Sequence, residues 1–228
     1  MSPRRTKPGS PGGGGPAGWA AGRGHGWDTS AMPGPSAPSA KGPRMPFRVL
    51  MVCTGNVHRS PLAERLLTAR LGPSRGMFRV TSAGTFASAG TPMDPQAAAL
   101  LLQLGGDARG AVASRLTAQL VENADLVLGA ATEHRDAAVR LSPVWALRRA
   151  FTLREFARLL RAEDAAGATD PADRAAVLVR GAWTRRGAEG RADDDDVADP
   201  YGAPDHVARA CAGRIAESVE RIAAAVRG

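Results

Sequence analysis

Cysteine is scarce in this 228-residue chain: Cys53 and Cys211 are the only two, and they lie far apart. With no CxxC pair, no Cys/His cluster and four histidines in all, neither a disulfide framework nor a zinc site can organise the fold. Aromatics make up 4% of the residues and include one tyrosine, Tyr201, so an aromatic wall at any site has few candidates. No apolar run has the length needed to cross a bilayer. The basic start, Arg4-Arg5, is followed by Gly and Pro rather than an apolar stretch, which excludes a secretory signal. These absences point to a cytoplasmic chain without a membrane partner.

Lysine is nearly missing too. Lys7 and Lys41 are the only ones, and both lie in a first segment, residues 1–44, crowded with Gly, Pro, Ser and Ala. Six basic residues there (Arg4, Arg5, Lys7, Arg23, Lys41, Arg44) against Asp28 carry +5 of the formal +8. A segment of that composition cannot bury enough apolar surface to offset its ordering entropy. We read 1–44 as a disordered basic extension, with Met45 as an alternative start, and 45–228 as one domain. A basic arm is the only feature that suggests nucleic acid, and composition favours a solvated tail over that role.

What is present is a strand, a tight loop and a helix start. The apolar run Val49-Leu-Met-Val ends in Cys53, Thr54-Gly-Asn-Val-His58 follows, and Arg59-Ser60-Pro61 opens a segment with helical spacing. Five residues between a cysteine and an arginine let the backbone curl so that its N–H groups converge on one oxyanion above the sulfur. Converging amides, a helix start and a guanidinium are surroundings that favour a thiolate nucleophile. Arg59 can hold two phosphoryl oxygens at once, which lysine cannot match. Gly55 permits close approach of the backbone, Asn56 tolerates a left-handed conformation, and Ser60 can hydrogen-bond the sulfur.

The stretch C-T-G-N-V-H-R-S-P resembles the C-x-G-N-x-C-R-S-P signature of the low-molecular-weight protein-tyrosine phosphatases, from about Phe47 to the C-terminus. The resemblance implies a cysteine-dependent phosphatase that works through a phosphocysteine without metal or organic cofactor. Cys53 would be the nucleophile, and Thr54, Gly55, Asn56, Val57, His58, Arg59 and Ser60 would form the phosphate loop. It further implies that Ser82 hydrogen-bonds Asn56 and supports that loop. Phe86 and Tyr201 are then the rim aromatics, because the usual rim position falls on alanine at Ala87. A loop-supporting histidine of eukaryotic members falls near Ala111, so that support must come from elsewhere. His58 stands where the signature has its second cysteine, which removes a protective disulfide partner for the nucleophile.

The remaining chain alternates strands and helices. Strands are expected at about 47–53, 78–82, 125–128 and 146–151, and helices at 60–71, 94–104, 116–122, 132–141 (capped by Thr132), 152–160 and 204–226. Such alternation argues an α/β fold with a parallel sheet covered by helices on both faces and ligands at the strands' C-terminal ends. The family resemblance adds that the sheet has four strands, with the phosphate-binding loop after the first. Residues 162–192 are longer and more polar than such a fold requires. They read as a surface insertion with a short helix at 172–183, or as a docking element using Trp183 beside Arg185 and Arg186.

A thiolate expelling an alkoxide or phenolate needs an acid on the far side. Asp199-Pro200-Tyr201 resembles the family's D-P-aromatic loop, making Asp199 the acid and then the base, with Tyr201 a wall for a flat substrate. The acidic run Asp193 to Asp196 reads as a solvated loop. The expected substrate is a phosphotyrosine protein written by a cognate kinase. The alternatives are a protein-arginine phosphatase, an arsenate reductase (weakened by the missing cysteine pair) and a non-catalytic phosphoprotein-binding module. Val57, where arginine-specific relatives carry threonine, favours tyrosine.

Overall fold

A computed structural model describes residues 45–228; the reading of 1–44 as a disordered basic extension lies outside the described residues. Strand β1 (Phe47–Cys53) is the organising element, flanked by β2 (Phe78–Gly84) on one side and β3 (Leu126–Gly129) on the other, with β4 (Ala150–Thr152) beyond β3. All three pairings are parallel. The order β2-β1-β3-β4 means the chain winds first to one side of β1 and then to the other. Beside that reversal, at the C-terminal end of β1, the flanking loops part and leave a crevice.

Alternation along β1 sorts the core into two layers. Phe47, Val49 and Met51 pack with the larger cluster, while Leu50 and Val52 face the smaller one. The larger layer is built by α1 (Arg59–Arg70), α2 (Pro95–Gln103), α6 (Leu153–Leu159), α7 (Pro171–Glu189) and α8 (Asp205–Arg227). The smaller belongs to α3 (Ala118–Glu122), α4 (Thr132–Leu141) and α5 (Pro143–Ala146). Helices therefore cover both faces, as expected. Among the described residues, none of these helices is long and apolar enough to cross a membrane.

Local signals explain most boundaries. Asp94 caps α2, accepting from the Ala97 N–H at 3.0 Å, with Pro95 at the first helical position. Thr152 and Glu155 form a reciprocal capping box on α6. In α8, Cys211, Ile215, Val219, Ile222 and Val226 are buried at steps of three and four, the amphipathic stripe expected of a helix laid on a sheet.

Three expectations are corrected. The fourth strand is Ala150–Thr152 rather than 146–151; Ala146 ends a helical turn that starts at Pro143, and Leu147, which read as strand, is a surface residue. Thr132 does not cap α4 but is its first residue, after Ala131; its hydroxyl and N–H both donate to Asp196. The 162–192 stretch contains a 19-residue helix, α7, with Ala175, Leu178, Val179 and Ala182 buried in the main core. The two arginines of the docking reading are occupied internally: Arg185 pairs with Asp164, and Arg186 with the buried Glu155.

Candidate active site

The loop between β1 and α1 is held from behind by the end of β2. Thr85 and Phe86 donate their N–H groups to the carbonyls of Cys53 and Thr54, both at 2.9 Å. At Gly84 a Cβ would stand 2.5 Å from the Thr54 carbonyl and 2.9 Å from the Asn56 nitrogen, so only glycine lets the loop lie this close. Asn56 takes the turn with φ 55°, the left-handed conformation its residue type tolerates.

The orientation of the Asn56 amide follows from its partners. Its Oδ1 accepts from the Ser114 N–H at 2.7 Å, which leaves Nδ2 to donate to Ser60 Oγ at 2.9 Å and Ser82 Oγ at 2.8 Å. Ser82 donates its own O–H to Glu64 Oε2 at 2.5 Å. Ser60 Oγ, already accepting from Asn56, lies 2.9 Å from Cys53 Sγ, and it is the donor of that pair when the sulfur is a thiolate. The Asn56 N–H also points at the sulfur, at 3.3 Å. Two donors therefore meet Cys53, and both are fixed by buried or half-buried neighbours. Burial pushes the Glu64 carboxyl above its ordinary pKa, against the Ser82 hydrogen bond.

Arg59, 4% exposed, has its guanidinium shared among three groups. Nη1 donates to the Val197 carbonyl at 3.1 Å, and Nη2 donates to Thr54 Oγ1 at 3.2 Å and to Asp199 at 2.5 Å. Asp199 also accepts from the Tyr201 N–H at 3.2 Å, and its side chain is half-exposed. An open cleft of about 340 Å³ gathers these groups; it is lined by Cys53, the loop, Arg59, Asp199 through Ala203, and Asp94 and Gln96 from the start of α2. Tyr201 is 88% exposed and forms a wall. Phe86 is 77% exposed and is not among the residues that line the cleft, whereas Tyr201, Asp94 and Gln96 are.

His58 also lines the cleft, yet neither of its ring nitrogens has a hydrogen-bond partner among the described residues. Burial pushes its pKa below the ordinary histidine value. The acidic run is corrected as well. Asp195 is buried against Arg158 and the Ala192 N–H, and Asp196 caps the start of α4, so half of the run pins the acid segment rather than lying in solvent.

Four supporting residues escaped the sequence reading: Gly84, Glu64, Ser114 and His134. His134 is the most informative, because it sits just past β3 where ligands collect in parallel sheets, and that position was the available signal. Chemically the arrangement offers a thiol under two donors, a buried guanidinium, and a carboxylate across an open cleft. That set suits attack on an electrophile bearing an oxyanion, followed by protonation of a leaving group.

Residues 48–180 match the family described as low molecular weight phosphotyrosine protein phosphatase. The chain is 31% identical to a protein-arginine-phosphatase of Geobacillus stearothermophilus over 179 residues, 78% of this chain and 95% of that protein. It is 38% identical to the low molecular weight protein-tyrosine-phosphatase Etp of Escherichia coli over 95 residues, 62% of Etp and 42% of this chain. Among solved structures, the YwlE arginine phosphatase of Geobacillus stearothermophilus superposes with a TM-score of 0.58 at 30% identity, covering 78% of this chain and 92% of that one. The Erwinia amylovora tyrosine phosphatase AmsI gives 0.57 at 23% identity, covering 78% of this chain and 91% of that one; this likeness shows the fold alone.

Proposed function

The chain belongs to the low molecular weight phosphotyrosine protein phosphatases, cysteine-dependent hydrolases of phosphate monoesters that act on phosphoproteins, and on that footing we propose that it hydrolyses protein phosphotyrosine at the Cys53 cleft. Cys53 attacks phosphorus, forming an S–P bond as the P–O ester bond breaks, and Asp199 gives its proton to the departing phenolate. Water then attacks phosphorus, Asp199 takes a proton from it, and the thiolate leaves under the Ser60 and Asn56 donors. Arg59 and the loop amides hold the phosphoryl oxygens through both steps. The observation that carries this reading is the convergence of Cys53, Arg59 and Asp199 on one cleft walled by Tyr201. A tyrosine kinase in the same compartment, the cytoplasm, is the implied partner activity. Residues 45–228 form the catalytic unit.

A second reading, protein-arginine phosphatase, is favoured by the Geobacillus relative, which aligns over nearly its whole length, and by Asp94 and Asp199 bordering the cleft, which suit a cationic leaving group. Phosphate release from a phosphotyrosine peptide and from a phosphoarginine protein separates the two. Cys53→Ser should abolish turnover, and Asp199→Ala should slow it about 10²-fold or more. Turnover of the arginine substrate alone would move the second reading to first place. No turnover of either substrate by protein with a reduced, titratable Cys53 would overturn both.

A further inference from the structure

The structure brings a histidine to the phosphate loop from an element that follows β3. His134, 1% exposed in the first turn of α4, accepts the Ala131 N–H on Nδ1 at 3.1 Å. Its proton must therefore sit on Nε2, which faces Thr54 Oγ1 at 2.9 Å. Thr54 Oγ1 also receives an N–H from Arg59 Nη2 at 3.2 Å. A hydroxyl oxygen has two acceptor sites and one proton. With both acceptor sites filled, the Thr54 hydroxyl can only donate, and it makes no donated hydrogen bond among the described residues. Thr54 itself lines the cleft beside Cys53.

We propose that His134 is a positioning residue that fixes Thr54 as a hydroxyl donor to the bound phosphoryl group and, through Thr54, holds Arg59 in place. This deepens the phosphatase reading and rests on it for the identity of the anion. Neutral imidazole is the required form, since protonated Nδ1 would face the Ala131 N–H with a second donor. The charged groups facing His134 are Arg59 from α1, Glu133 beside it, and Asp196 and Asp199 from the acid segment. Burial, then Arg59, hold its pKa below the ordinary value against the three carboxylates. The neutral form is therefore present at neutral pH and is lost as pH falls through that lowered value.

The test compares His134→Ala, His134→Gln, Thr54→Val, Thr54→Ser and the His134→Ala/Thr54→Val pair, each checked for folding by thermal melting. Two quantities are measured: kcat/KM for an aryl phosphate from acid to neutral pH, and the Kd for inorganic phosphate by calorimetry. His134→Ala and Thr54→Val should each cost about tenfold in both, the scale of one lost hydrogen bond to a charged group. The double variant should lose no more than the worse single one, because both remove the same chain of contacts. Thr54→Ser, and His134→Gln with its replacement N–H donor, should stay within about threefold at neutral pH, and His134→Gln should lack the part of the acid fall that belongs to His134.

Losses that multiply in the double variant would overturn the proposal, as would Thr54→Val within about twofold of wild type. If no substrate turns over, the phosphate Kd values still decide the positioning role, while the phosphatase reading alone falls.

Discussion

The two halves of the site are built in opposite ways. On the loop side, Cys53, Asn56 and Ser60 are each 2% exposed and joined by a closed chain of hydrogen bonds reaching back to Glu64 and Ser114. On the acid side, the base of the segment is pinned by Asp195 and Asp196, but its tip carries a half-exposed Asp199 and an 88% exposed Tyr201. The tip's anchors are the Asp199–Arg59 pair and the Tyr201 N–H. The oxyanion side is thus organised before any ligand arrives, which is where preorganised donors are most effective. The acid is held by the same guanidinium a phosphate would engage, so an arriving ligand competes with the resting contact. Rigidity is invested where charge develops, and freedom is kept where substrates must enter and leave.

Peroxide would break this contrast most severely, by destroying the loop half chemically while sparing the acid half. His58 stands in place of a second thiol and Cys211 is buried in α8. Oxidation of Cys53 should therefore proceed past sulfenic acid and remove all activity beyond recovery by dithiothreitol. Full recovery would show a resolving partner. Gly84→Ala comes next: it pushes a methyl group into the Thr54 carbonyl and Asn56 nitrogen. It should cost about 10²-fold in kcat/KM together with roughly 1–3 kcal/mol of stability, read by denaturant titration. An activity loss without a stability loss would mean the loop shifts freely and is less rigid than described.

Glu64→Gln sharpens the comparison at the smallest scale. Because burial raises the folded-state pKa of Glu64, the stability linked to its protonation is fully present below the unfolded value. It is lost as pH rises through the folded one. Glutamine keeps an acceptor for Ser82 without a charge to bury. Melting temperature at neutral pH should rise by about 1–3 °C, and its dependence on pH in the weakly acidic range should flatten. A fall instead would show that the carboxylate's hydrogen bond to Ser82 outweighs its desolvation.

What could be read in advance divides along the same line. The nucleophile, the arginine and their loop lie within seven consecutive residues at the end of an apolar run, so local spacing alone exposed them. Ser82 and Asp199 were reached through motif resemblance. His134, Ser114 and Gly84 carry no local mark, because the parallel register, Cys53 beside Gly84 and Val52 beside Gly129, and the bridge of Arg115 to Gly84 are what carry them to the loop. The approach to β4 misled for a different reason. Leu147 is apolar but lies on the surface, where periodicity cannot distinguish it from a strand residue. The acidic run misled because four consecutive aspartates look solvated until Arg158 and Thr132, both distant in sequence, fold against Asp195 and Asp196.

One contact to Arg59 belongs to no side chain at all. The Val197 peptide receives the guanidinium on its carbonyl, and the Val197 N–H donates to Ala130 at 2.8 Å. Any apolar residue that fits the buried space would present the same oxygen. Mutation can therefore wander at this codon without touching the contact, and descendants of this gene could vary there while the arginine stays held. Proline is the exception, since it would delete the N–H that seats the peptide. A part of the catalytic apparatus is in this way inherited through backbone path rather than residue identity, and a search for invariant letters would pass over it.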